Sequence, residues 1–300
     1  MRDMSHPIVF DRALLRRRLA RAHRLGPVDF LLERAAEDMA ERLSTIKRRF
    51  IHGVDLGTAT DAVARALTGH PGVASLVAAA PLLAGLDQRR PAVVVDEEAL
   101  PFGEGALDLV VSALSLQLVN DLPGSFAQIR RALKPDGLFL AALIGGGSLA
   151  ELREAFAIAE SETTGGVSPR VAPFADVRDM GGLLQRAGFA LPVTDVDRVV
   201  VRYGSPFALM ADLRRMGASN ALVERRRTPL RRATLLRAAE VYAERFSDPD
   251  GRVRATFEIV WLSGWAPHES QQKPLRPGSA RMRLADALGT AELPTGETPG

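Results

Sequence analysis

Apolar residues in this 300-residue chain follow two rhythms, short unbroken runs and stripes at three- and four-residue spacing. The stretch 91–137 shows both. Runs at 92–95 and 107–112 are nearly continuous in Val, Leu and Ala, the pattern of strands buried on both faces of a parallel sheet. Residues 122–133 then place Phe126, Ile129 and Leu133 on one helical face. Lys134-Pro135-Asp136-Gly137 predicts a stop, because proline cannot continue a helix and glycine accepts the turn that follows. A further apolar run occupies 138–144. Strand, strand, helix, strand in this order marks the middle of an open α/β domain.

The flanks extend the series. Helical spacing covers 10–22 and 30–46, broken at Gly26-Pro27, and Leu31, Ala35, Met39 and Leu43 form a stripe suited to covering a sheet. A strand is expected at 50–56, a glycine-containing turn at 57–61, a helix at 61–67, a strand at 73–77 and a short helix at 81–85. Beyond the middle, helices are expected at 148–160, with Leu149, Leu152 and Phe156 inward, and at 176–187, 206–216 and 229–245. Residues 167–173 read as a loop. Strands at 196–203 and 254–261, separated by helices, are expected antiparallel at the sheet edge. The expected fold class is therefore α/β, a Rossmann-like, mostly parallel seven-stranded sheet. Its expected parts are an N-terminal helical arm (1–48), a sheet domain (49–272) with a helical insertion at about 205–246, and a flexible tail (273–300).

Composition narrows the function classes. A 46% hydrophobic content supplies a real core, and no apolar run reaches the ~20 residues of a membrane-spanning helix. The chain contains no cysteine, which excludes disulfides, thiolate metal sites and cysteine nucleophiles. The formal net charge is +3, and all basic residues except Lys47, Lys134 and Lys273 are arginine. They are interleaved with acids and lack an aromatic stacking pattern, so nucleic-acid binding is not expected. The first twenty-four residues resemble an arginine-rich transit peptide, but Asp3 and Asp11 and the direct run into a helix favour an arm packed on the domain. Arg12, Arg16, Arg17, Arg18, Arg21 and Arg24 give that arm a cationic face. Its preferred reading is a solvated surface, the other a docking face for an acidic partner.

Candidate chemistry collects after the strands. Asp55 closes the first strand, and Gly57, Thr58 and Ala59 form a turn into a helix, the geometry that places a ligand at a helix N-terminus. A plain turn capped by Thr60 accounts for the same residues. The second strand ends in alanines, Ala78 among them, with no acid. Asp96 and Glu97 follow the third strand and precede Leu100-Pro101-Phe102; they can accept hydrogen bonds from a nucleoside or stand as solvated loop acids. Ser112 ends the fourth strand. Past it, Asp121 reads first as a helix cap and second as a substrate contact. The five histidines form neither His-x-Asp nor His-x-x-x-His, and no Gly-x-Ser-x-Gly elbow or phosphate loop occurs.

The segments 96–102, 115–123 (Ser-Leu-Gln-Leu-Val-Asn-Asp-Leu-Pro) and 133–137 resemble the class I S-adenosylmethionine (SAM)-dependent methyltransferase superfamily. More narrowly, Asp11-Arg12, Gly165-Gly166-Val167-Ser168-Pro169, Arg186-Ala187-Gly188-Phe189, Met216-Gly217-Ala218-Ser219-Asn220, Gly264-Trp265 and His268-Glu269-Ser270-Gln271 resemble a family of complex I assembly factors that act as protein-arginine hydroxylases, and its bacterial members. A looser likeness, through the sheet domain, is to malonyl-carrier-protein methyltransferases. The resemblance implies SAM held along Asp55, Gly57, Thr58, Ala59, Ala78, Asp96, Glu97 and Ser112. It also implies a respiratory complex I iron–sulfur subunit as partner, and a cytoplasmic location in a bacterium beside membrane-bound complex I. Departures lie at Ala59 and Asp61, where the motif has glycine, at Ala78, where it has an acid, and at Gln117, where relatives usually carry histidine. Two other readings stay open: a methyltransferase of a small molecule or carrier protein, and a non-catalytic assembly chaperone. Neither catalytic residues nor a metal site are read from the sequence.

Overall fold

Seven strands, β1 (Gly53–Leu56), β2 (Leu76–Ala80), β3 (Ala92–Val94), β4 (Leu107–Ala113), β5 (Leu133–Ile144), β6 (Ala190–Tyr203) and β7 (Val253–Trp265), make one sheet in the order β3-β2-β1-β4-β5-β7-β6. The structure is a computed structural model describing residues 8–173, 177–272 and Gly289. Neighbours from β3 to β5 run parallel, while β7 is antiparallel to both β5 and β6. The expected α/β class and the antiparallel late pair are both observed. Chain order reverses between β1 and β4, and a ligand crevice belongs outside the carboxyl ends of strands at such a point.

Helices cover both faces. On one, α2 (Phe30–Ser44) and α3 (Ala62–Ala66) bury Ala35, Met39, Leu43 and Val63 against Leu109, Leu140 and Trp261. On the other, α4 (Leu122–Ala132) and α6 (Val177–Arg186) bury Phe126, Ile129 and Leu184 against Val110, Phe139 and Leu262. The long β6–β7 ladder continues past β5, and α5 (Ala150–Thr164), α7 (Pro206–Arg215) and α8 (Arg232–Phe246) form a third core with Tyr203, Val253 and Phe257 at its end. The expected stripe on α2 is buried throughout, as are Leu149, Leu152 and Phe156 around α5. Residues 268–272 belong to a second unit, and within them Ser270 bonds the His268 ring. The expected tail, 273–300, lies outside the described residues apart from Gly289.

Several boundaries differ from the sequence expectation. The second strand lies at Leu76–Ala80 rather than 73–77, because Ala78 and Ala79 are paired on both sides, by β1 and β3, and Ala80 by β3, and pairing overrides alanine's weak strand preference. β3 is the outermost strand of its side, and Val93 and Val94 are exposed rather than buried on both faces. Residues 81–85 form bends and a turn and no helix, the Leu86 amide donating to the Leu83 carbonyl (3.2 Å). β5 begins directly at the end of α4. Lys134-Pro135-Asp136 sit in an irregularity that moves the register from Leu107↔Leu133 to Leu109↔Leu138, with Asp136 at φ +62°.

The amino-terminal segment is stitched down before its helix begins. Phe10 bridges Leu222, the Asp11 amide donates to the Ala221 carbonyl (2.8 Å), and the Val223 amide donates to the Val9 carbonyl (2.9 Å). From the loop after β4, the Asn120 Oδ1 accepts the amides of Val9 (2.9 Å) and Phe10 (2.7 Å), and its Nδ2 donates to the Phe10 carbonyl (3.2 Å). Asp11 then caps α1 (Arg12–Leu25) by accepting from the Leu14 amide (2.9 Å). Asn120→Ala leaves two backbone amides without their acceptor, an expected loss of about 2 kcal/mol in urea denaturation. Hydrogen exchange at Val9 and Phe10 should quicken while the β4 amides stay protected.

Candidate functional site

The turn after β1 is braced from beneath. Asp55 is 3% exposed and lies between Ala78 of β2 and Val111 of β4. The Thr58 hydroxyl donates to Asp55 Oδ1 and accepts the Ala113 amide (3.2 Å), while the Ser112 hydroxyl donates to the Leu56 carbonyl (2.7 Å). Burial pushes the Asp55 carboxyl up to about 7, with the Thr58 bond opposing and the Asp61 charge adding to the rise. Above this brace Gly57 takes φ +78°, and a Cβ there would fall 2.1 Å from Ser115 Oγ and 3.0 Å from Glu97 Oε1. Glycine is required twice over, for its backbone angle and for the approach.

Those distances place Gly57 and the third-strand acids on one wall. Glu97 is 2% exposed; its Oε1 accepts from the Ser115 hydroxyl (3.1 Å) and its Oε2 from Arg12 Nη2. Asp96 Oδ1 accepts from Arg12 Nη2 (2.9 Å) and from the Glu98 amide (3.0 Å), and Arg16 Nη2 bonds its Oδ2. Burial works to raise the Asp96 carboxyl, but the Glu98 amide and the two arginines outweigh it and hold it below its ordinary value. The expectation of a wholly solvated cationic face on α1 is thus corrected. Arg12 turns inward because the buried Glu97 carboxylate needs a partner, while Arg16 pairs with the part-exposed Asp96.

A cavity of about 190 Å³ opens here, floored by Gly57, Ala59, Pro81, Glu97, Ser115 and Gln117. Its roof comes from α1, α2, α7 and the segments around Val171 and Gly217. Of the positions expected from sequence, Gly57, Ala59 and Glu97 line it. Asp55, Thr58, Ser112 and Ala78 do not line it, and Asp96 faces the α1 arginines. The end of β2 contributes Pro81, so an acid is missing from that wall. Asp61, one of the departures from the motif, accepts the Asp87 amide (2.7 Å) at its Oδ2 and does not line the cavity. Asp121 caps α4 through the Gly124 amide (2.8 Å), the first of its two readings.

Sequence reasoning missed the roof. Arg12 stood in a quoted motif but was read as a surface cation, and no local signal links it to acids more than eighty positions away. It also missed Arg170, which lines the cavity, bonds Glu160 Oε1 through Nε (2.9 Å) and lies 5.5 Å over the Phe156 ring. Glu160, fully buried, also accepts the Ser168 amide (2.7 Å), which explains the Val-Ser-Pro-Arg run. Among the described residues, no group of three His, Cys, Asp or Glu side chains is arranged to hold a metal ion.

Comparison with known proteins agrees with this fold. Residues 34–141 match the methyltransferase domain family. The mitochondrial arginine-hydroxylase NDUFAF5 of Danio rerio is 40% identical over 294 residues, 95% of this chain and 91% of that protein. The malonyl-[acyl-carrier protein] O-methyltransferase of Halorhodospira halophila is 33% identical over 282 residues, 91% of this chain and 94% of that protein. A solved structure from Bacillus halodurans C-125, assigned as a methyltransferase, shares the fold with TM-score 0.51 at 17% identity, covering 77% of this chain and 99% of that one. The fold and these matches therefore define a protein of the SAM-dependent methyltransferase class. Within that class, the chain belongs to the family of arginine-hydroxylase NDUFAF5. No described helix is long and apolar enough to cross a membrane.

Two measurements test the wall. Arg12→Ala strands Glu97 in the interior and should cost about 3–5 kcal/mol in chemical denaturation, whereas adding Glu97→Gln should recover most of the loss. Asp55 gives a pH signature. Its folded value near 7 lies above the 3.8 of the free side chain, so the native state holds the extra proton between those values and loses stability as pH rises through them. At about 1.4 kcal/mol per pH unit, the advantage of Asp55→Asn should grow from near zero at pH 4 to about 4 kcal/mol at pH 8.

Proposed function

We propose that this protein is a complex I assembly factor of the arginine-hydroxylase family, acting in the bacterial cytoplasm on an iron–sulfur subunit of the respiratory enzyme. We also propose that it binds SAM weakly at the carboxyl edge of β1 and β4. Similarity over nearly the whole chain to a mitochondrial arginine-hydroxylase supports the first part. One observation carries the second: Gly57, Ala59 and Glu97 share a single cavity wall at the sheet's reversal point. The residues partly fit the donor. The Gly57 turn lets backbone approach the ligand, and Glu97 keeps unused acceptor capacity for the adenosine portion. Against this, the β2 end offers no ribose-binding acid, and Arg12 and Arg16 already bond the third-strand carboxylates. When bound, SAM would supply an electrophilic methyl group. The chain's own part is to orient the donor, exclude water beneath the α1 roof and leave the third-strand acids as acceptors.

Calorimetric titration should show weak, saturable SAM binding to the natural protein, and Ala59→Gly should tighten it about ten-fold, or ~1.4 kcal/mol, by opening backbone approach. Absence of binding in both, with the fold intact, sinks the donor site and leaves the chaperone reading. Co-expression with the complex I iron–sulfur subunits followed by mass analysis separates the activities. One added oxygen on an arginine supports the family's hydroxylation, one added methylene supports a transferase, and an unchanged subunit rejects both.

A further inference from the structure

With Arg12 and Arg16 engaged by the third-strand acids, the rest of the cationic face of α1 still lacks partners. The segment 215–227 runs beside that helix in the opposite direction. Arg215 Nε donates to the Gly26 carbonyl (2.8 Å), Arg21 Nη2 to the Ser219 hydroxyl (3.3 Å), and Arg225 Nη2 to Asp11 Oδ2 (3.2 Å). Residues 11–25 and 215–227 together carry ten arginines and only two acids, Asp11 and Glu224, so the pair forms a positive strip. Among the described residues, Arg17, Arg18, Arg21 and Arg24 make no ion pair, and Arg17, Arg21 and Arg24 are exposed. Arg18 is crowded: burial and the charges of Arg225 and Arg21 hold its guanidinium below its ordinary value, and Asp11 opposes them. Like charges gathered this way repel one another, and an anion laid along them relieves the repulsion. The strip forms the outer side of the cavity roof, since Leu15, Leu19 and Gly217 of the same segments line the cavity.

We propose that this strip is the docking surface for an acidic polypeptide segment, laid in extended form along α1. The 14 residues of α1 make a helix about 21 Å long, which about seven extended residues span. Arg17 and Arg21 stand about 6 Å apart along the helix axis, and alternate side chains of an extended chain repeat at about 6.6 Å. Carboxylates at every second position therefore meet them in register. Arginine suits this partner, because its planar fork takes a carboxylate through two parallel bonds. A lipid surface fits poorly. An interfacial helix sinks its apolar face into the bilayer, whereas Leu15 and Ala22 of α1 are already buried in the protein and Leu19 lines the cavity. A single-stranded nucleic acid fits poorly as well, since neither segment contains an aromatic residue on which a base could stack. The choice of a polypeptide among polyanions rests on the proposed action on a protein subunit, which a segment held over the cavity roof brings to the site.

Calorimetric titration of the full chain at low salt uses a heptapeptide of alternating Glu and Ala, its Gln counterpart, a DNA duplex, and vesicles of equal parts phosphatidylserine and phosphatidylcholine. The Glu peptide should bind saturably and lose affinity as salt is added, and the Gln peptide should bind at least about ten-fold more weakly. Arg17→Gln with Arg21→Gln should weaken the Glu peptide about ten-fold; both side chains are exposed, so the fold is kept. Arg131→Gln with Arg198→Gln removes the same charge from exposed positions on α4 and β6 and should leave Glu-peptide binding unchanged. No saturable binding of the Glu peptide, equal binding of the Gln peptide, or an equal loss in the two double variants would overturn the proposal. Tighter binding of the duplex or the vesicles than of the Glu peptide would overturn it too. An iron–sulfur subunit left unmodified on co-expression, with Glu-peptide binding intact, strikes the proposed activity and leaves the strip standing. A modified subunit without Glu-peptide binding strikes the strip alone.

Discussion

A carboxylate 2% exposed beside an arginine from the first helix is the joint on which this molecule turns. A carboxylate buried there needs hydrogen-bonding partners, and Arg12 and Ser115 supply them to Glu97. Each partner comes from a different part of the chain, one from the arm and one from the loop after β4. Pairing a single buried acid therefore fixes the arm against the sheet's carboxyl edge. The Asn120 bonds to Val9 and Phe10 do the same for the strap that leads into that helix. Roof and floor are fastened by polar groups, while the space between them is apolar.

This arrangement changes the meaning of the degraded cofactor turn. From sequence, the loss of two motif glycines was a departure that counted against a donor site. In the folded chain Asp61 is turned toward Asp87 and away from the cavity, so its charge does not oppose a ligand there. Gly57, the surviving glycine, is the one whose Cβ the structure could not admit. The obstacle sits elsewhere, in the α1 guanidiniums already bonded to the third-strand acids and in the missing acid at the end of β2. A replaced residue is a permanent loss, whereas a bonded arginine can be exchanged for another donor.

Much of the fold was legible because it rests on patterns local in sequence. The valine- and leucine-rich runs gave β4 and β5, the stripe on α2 gave its buried face, and the capping position of Asp121 was read correctly. The errors share a cause. Ala78 and Ala79 are in the strand because neighbours pair with them on both sides, and Ala80 because β3 pairs with it, which alanine composition does not announce. Residues 134–136 belong to β5 because the ladder absorbs them in an irregularity. Of the site, the floor was visible as a glycine turn and an acid pair. The roof was not, since Arg12 meets Glu97 across 85 positions and nothing nearby in sequence distinguishes it from its solvated neighbours.

The balance at Glu97 also bounds what the site can hold. A guanidinium–carboxylate bond is charge-assisted and roughly twice as strong as a neutral one. An adenosine amino group is a neutral donor, so it cannot replace Arg12 on equal terms and must use the lone pairs that Arg12 and Ser115 leave free. Those lone pairs are few, and the Gly57 backbone fixes the direction from which they can be reached. A donor held this way gains less from the acids than it would from an unpaired carboxylate, and more of its affinity must come from backbone approach at Ala59 and from apolar contact.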